Sequence, residues 1–125
     1  MEVKIIEPTD DTPGIVLDKD KNEFRFTGKS LPEDVTEFFT PVLQWLIDYS
    51  QEPNLETNVE FRMEYFNSAS SKQILDILTI FEEIHLSGKP VNVKWYYQED
   101  DEDMEEAGES YSELIEMPIE IISYE

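Results

Sequence analysis

Between Asn58 and Phe66 the apolar residues Val59, Phe61, Met63 and Tyr65 alternate with Glu60, Arg62 and Glu64. A period of two sends successive side chains to opposite faces, so this segment reads as a strand with one face on a core and a charged face in water. Two shorter runs, Gly14-Ile15-Val16-Leu17 and Glu23-Phe24-Arg25-Phe26-Thr27, flank the polar stretch Asp18 to Asn22 and predict a β-hairpin. From Pro32 to about Ser50 the spacing changes: Val35, Phe38, Phe39, Val42, Trp45, Leu46 and Tyr49 recur every three or four residues, with Glu33 and Asp34 at the start. That is an amphipathic helix with acidic residues at its positive end. Pro41 lies inside it and removes a backbone donor, so a kink near Thr40 or a break into two pieces is expected.

A second helical run, Ile74, Ile77, Leu78, Phe81 and Ile84, ends at Gly88 and Pro90 and leads into the strand pattern Val91 to Tyr97. A strand, a helix and a strand in that order predict a parallel pair. Beyond them the acidic run Glu99 to Glu109 continues into Tyr111, Leu114 and Ile115, a third helix, and Ile119, Ile121 and Ile122 close the chain as a short strand. The order β-β-α-β-α-β-α-β implies one α/β domain over residues 1–125, with a mixed sheet of about five strands and helices mainly on one face.

Composition adds a sign to this picture. Nine Lys and Arg against thirty Asp and Glu give a net charge of -21, which repels phosphate backbones and anionic headgroups and so points away from nucleic acid and membranes as partners. The 39% hydrophobic content still supplies a core. Without cysteine there is no disulfide framework and no thiol chemistry. Met1 runs straight into Glu2-Val3-Lys4-Ile5-Ile6 with no signal-like apolar stretch, so a cytoplasmic location is expected.

Candidate catalytic groups are few. Asp18, Asp20 and Asn22 resemble the first ligands of a calcium loop, but Glu23 occupies the glycine position and Lys29 the last acidic position. Asp100, Asp101, Glu102 and Asp103 form a charge run of the kind that normally faces solvent. His85, the single histidine, stands late in a helix, where it can cap carbonyls or complement the helix C-terminus, and about four helical turns from the serines near residue 70. The glycines at 14, 28, 88 and 108 form no phosphate loop. No enzyme activity, metal or cofactor is expected.

What remains is Asn67-Ser68-Ala69-Ser70-Ser71-Lys72, between a strand and a helix. Such residues cap orphan amides at a helix start, and capping alone would make this a constitutive interaction or scaffold module. The same amides, the helix dipole and Lys72 could also receive a phosphate carried by Ser68, Ser70 or Ser71, which would make the segment a switch.

Four segments carry a resemblance: TPGI at Thr12 to Ile15, SLPED at Ser30 to Asp34, FNSASSKQILDIL at Phe66 to Leu78, and GKPVNVKWYY at Gly88 to Tyr97. Together they resemble the SiaC family of bacterial regulatory phosphoproteins over nearly the whole chain. The resemblance implies a STAS-like, anti-sigma-factor-antagonist-like fold, phosphorylation by a histidine-kinase-like Ser/Thr kinase, and reversal by a metal-dependent Ser/Thr phosphatase. It implies that the unphosphorylated form binds and activates a GGDEF diguanylate cyclase, and so controls cyclic-di-GMP and biofilm formation. The family's acceptor directly follows the Asn, which places it at Ser68. Asn67, Ser70, Ser71 and Lys72 then shape the segment and contribute to partner binding. Where the family's best-known branch has threonine followed by serine, this chain has Ser68 and Ala69.

Overall fold

The computed structural model describes residues 1–125. Six strands, β1 (Lys4–Ile6), β2 (Gly14–Asp18), β3 (Glu23–Ser30), β4 (Thr57–Phe66), β5 (Val91–Gln98) and β6 (Ile119–Tyr124), lie side by side in chain order. Helices α1 (Val35–Gln51), α2 (Ser68–Leu86) and α3 (Glu102–Leu114) connect the last four strands. The pairs β1–β2 and β2–β3 are antiparallel, and β3–β4, β4–β5 and β5–β6 are parallel. With strands in chain order, three crossovers that step in the same direction and follow the right-handed rule put every helix on the same face of the sheet. The strands accordingly alternate: Val91, Val93 and Trp95 of β5 are buried under the helices, while Asn92 and Lys94 are exposed on the other face.

The sheet has one strand more than the sequence pattern predicts. β1 pairs Ile5 with Val16 at the sheet edge, and three residues are too few to display a period. The hairpin turn forms as expected, and Asp18 is committed to it by accepting the Lys21 amide at 3.0 Å. Helix α1 runs unbroken through Pro41, so the expected break into two pieces does not occur. Pro41 is exposed, so the carbonyl of Glu37 that loses its partner can turn to water, while Thr40 donates to the Thr36 carbonyl at 2.7 Å. The helix begins at Val35, later than Pro32, because Asp34 caps it by accepting from the Glu37 amide at 3.0 Å.

The strict alternation of β4 fails at its end. Gly28 pairs with Met63 but the next residue, Lys29, pairs with Tyr65, so Glu64 is an extra residue in the ladder. A bulge of one residue reverses the parity beyond it. Tyr65, expected inward, is therefore 51% exposed, and Phe66 turns in against Trp95 at a centroid distance of 6.2 Å. Gly28 sits at the irregularity with φ of 87°, a conformation that favours glycine.

The core is one layer between sheet and helices, centred on Phe24, Phe61, Phe81 and Trp95, all fully buried. Trp95 also fixes α3, because its indole Nε1–H donates to the Met104 carbonyl at 3.0 Å. Gly108 allows this approach, since a Cβ there would lie 2.5 Å from the Trp95 ring. His85 does not cap carbonyls. Its Nδ1 instead accepts the Val91 amide at 3.0 Å and ties the end of α2 to the start of β5. Replacing Gly108 by Ala should force α3 off the indole and lower unfolding free energy by about 1–3 kcal/mol, the usual range for overpacking. Urea denaturation of the wild type and the variant checks this.

Candidate regulatory site

The residues read as a turn are the first turn of α2. Asn67 is its cap, in extended conformation, and Oδ1 accepts the Ser70 amide at 2.9 Å. The Asn67 carbonyl accepts the Ser71 amide at 2.9 Å, and its own amide donates to the Ser30 carbonyl at 3.2 Å. The helix start is thus pinned to the end of β3, at the carboxyl ends of the parallel strands. One helix turn leaves the amides of Ser68 and Ala69 without intrahelical partners.

The serines in this turn have different surroundings. Ser70 is completely buried, and its Oγ lies 2.8 Å from Ser30 Oγ and donates to the Ser30 carbonyl at 3.0 Å. Ser71 is half-buried, with its Oγ 3.0 Å from the Tyr111 hydroxyl, and that hydroxyl donates to the Ser71 carbonyl at 2.8 Å. Ser68 is exposed, as are Ala69 and Lys72. Helical geometry explains the division: residues 70, 74 and 77 share the buried stripe, and 68 and 72 lie on the other side. A hydroxyl must reach solvent to be modified, and among the three candidates Ser68 alone is exposed.

Lys72 is one turn into the helix, exposed and without a salt bridge, so its ammonium is available to an anion near Ser68. Below the turn, Phe66, Trp95 and Tyr111 form an aromatic cluster with centroid separations of 5.4–6.5 Å. Burial pushes the Tyr111 phenol above its ordinary pKa of 10.0, opposed by the hydrogen bond from Ser71. Ser30 and Tyr111 are the participants that sequence reasoning missed. Ser30 was visible only as the first letter of SLPED, and Tyr111 only as an apolar helix position.

The acidic run does not assemble with other ligating side chains. Asp101 caps α3 by accepting the Met104 amide at 3.0 Å, and no group of three or more His, Asp or Glu side chains converges as a metal site. No helix is long and apolar enough to cross a membrane.

A family model described as SiaC family regulatory phosphoprotein matches residues 6–124. The chain belongs to the SiaC family. An uncharacterized protein of Pseudomonas aeruginosa is 30% identical over 120 residues, 96% of this chain and 95% of that protein. Among solved structures, SiaC of Pseudomonas aeruginosa has a TM-score of 0.90 at 28% identity, covering 99% of this chain and 100% of that one. A second SiaC-family match is to the crystal structure of diguanylate cyclase SiaD in complex with its activator SiaC, from the same organism. It has a TM-score of 0.91 at 30% identity and covers 97% of this chain and 99% of that one.

Ser70→Ala removes a buried hydroxyl from Ser30 and is expected to destabilise the family member by about 1–3 kcal/mol, whereas Ser68→Ala should stay within about 0.5 kcal/mol of wild type. Denaturant midpoints measured side by side read the difference. A raised tyrosine pKa stabilises the fold below the unfolded value and is lost on titration, so the contribution of Tyr111 is fully present below pH 10.0 and disappears as pH rises through its higher folded value. The stability difference between wild type and Tyr111→Phe should therefore be constant near neutrality and shrink in strong alkali.

Proposed function

We propose that this SiaC-family chain is a phosphorylation-switched regulatory protein that, while Ser68 is unmodified, binds and activates a GGDEF diguanylate cyclase. The observation that carries the reading is the separation of the three serines: Ser70 and Ser71 are engaged in bonds that hold the fold, and Ser68 is exposed. A histidine-kinase-like Ser/Thr kinase adds the phosphate and a metal-dependent Ser/Thr phosphatase removes it. The chain itself contributes a binding surface and no catalytic group, and it acts in the cytoplasm through cyclic-di-GMP to set biofilm formation. The cyclase is supported by the relative seen in complex with SiaD.

A phosphate on Ser68 adds about -1.5 to -2 charges and three acceptor oxygens. Within reach are the free amides of Ser68 and Ala69, the positive end of the α2 dipole and, one turn on, Lys72. The modified first turn therefore holds its phosphate locally while presenting a dianion where a partner had contacted a small hydroxyl and a methyl group. Desolvating that dianion opposes docking. The competing reading, a constitutive scaffold in which the serines serve only as caps, is disfavoured by the cap itself: Asn67 does that work, and Ser68 is left without it.

Incubation with the kinase and ATP followed by mass spectrometry tests the acceptor. Phosphate should map to Ser68 in the wild type and be absent from Ser68→Ala; unchanged incorporation in that variant contradicts the assignment. In cyclase assays Ser68→Ala should activate as the wild type does, and Ser68→Glu should lose most of the activation.

A further inference from the structure

Strands β3 to β6 run parallel, yet all three helices lie over one face of the sheet; the other has no helix over it, and Pro8 packs against its margin beside Gly14 and Thr27. Parallel strands are ordinarily enclosed on both faces. The open face carries an ordered charge pattern. Arg25 is in register with Glu60, Glu60 with Lys94, and Lys94 with Glu120, so one row across four strands reads plus, minus, plus, minus. In the next row the Arg62 guanidinium lies 4.2 Å from the centre of the Tyr96 ring and 5.0 Å from that of Tyr124. Both arginines of the chain are on this face.

A row that inverts its signs when reversed is complementary to itself. Turned over about a two-fold axis parallel to the strands and midway between β4 and β5, it sets Arg25 against the partner's Glu120 and Glu60 against the partner's Lys94. Symmetry repeats both pairs. The same operation brings Arg62 opposite the partner's Tyr96, and Arg and Tyr are residue types enriched at protein interfaces. We infer that the open sheet face is a two-fold interface between two copies of this chain.

The net charge of -21 opposes association, and on the open face Arg25, Arg62 and Lys94 stand among the carboxylates and offset part of it. At about 0.15 M salt the Debye length is about 8 Å, which screens the distant carboxylates and leaves contacting pairs in force. Four overlapping strands spaced about 4.8 Å, each about six residues long, give roughly 400 Å² per copy. That is below the scale of about 1,200 Å² in total for stable complexes, so the dimer is weak and reversible. It is independent of the Ser68 switch, which lies at the start of a helix on the opposite face.

Sedimentation equilibrium of the full chain up to millimolar concentration, at physiological ionic strength, tests the inference. The wild type should rise from monomer toward dimer mass. Lys94→Glu sets a carboxylate against the partner's Glu60 and should weaken the dimer about tenfold or more. Adding Glu60→Lys to it changes the row to plus, plus, minus, minus, which again inverts on reversal, and should restore the dimer. That double variant has like charges beside each other within one copy, so its recovery cannot come from repair of the monomer. A wild type that remains monomeric, a dimer indifferent to Lys94→Glu, or a double variant that stays apart each overturns the inference. Loss of cyclase binding in Lys94→Glu with no self-association in the wild type would assign the face to the cyclase and also overturn it.

Discussion

The buried hydroxyl pair of Ser30 and Ser70 joins the last residue of β3 to the first turn of α2 across forty positions of sequence. Both side chains are fully buried, so breaking the pair strands polar groups away from water, and each such loss costs about 1–3 kcal/mol. Together with the bond from the Asn67 amide to the Ser30 carbonyl, the pair fixes where the helix begins. This constraint decides which side chains of the first turn face in. With Ser70 held inward, the helical period turns Ser68 and Lys72 outward on the same side.

The same turn is held from a second direction by α3. Tyr111 reaches the Ser71 carbonyl, and Tyr111 itself packs on Trp95, whose indole is bound to Met104 and covered closely at Gly108. An acidic helix with few apolar residues is thereby docked by one tyrosine, one methionine and one glycine. The consequence for the proposed switch is rigidity: a phosphate at Ser68 meets a preset end of a helix, and its effect is exerted on an incoming partner more than on the fold. Oriented amides that are already in place lose little entropy on receiving an anion.

Much of this fold was legible because its strands and helices differ in period. The alternation through β4 and β5 and the stripes of α1 and α2 each gave a correct element, and the crossover rule gave parallel pairing. β1 was too short to show a period, and the bulge at Glu64 changed the parity of Tyr65 and Phe66 in a way no local pattern encodes. Pro41 does not break α1 because the carbonyl it frees can meet water, and here that side of α1 is exposed. At the candidate site, sequence could name the serines but could not rank them: Ser68, Ser70 and Ser71 are chemically identical until Ser30 and Tyr111, both forty residues away from their partners, engage two of them. The choice of Ser68 as acceptor rests on the family resemblance; the structure adds that this residue is exposed.

In the proposed switch, a phosphate at one exposed serine changes affinity for a cyclase without unfolding the protein that carries it. Calorimetric titration of a GGDEF diguanylate cyclase with the unmodified chain and with the chain phosphorylated at Ser68 measures this directly. The unmodified form should bind tightly and phosphorylation should cost at least about a tenfold loss, a difference of about 1.4 kcal/mol. Equal affinities for the two forms would contradict it.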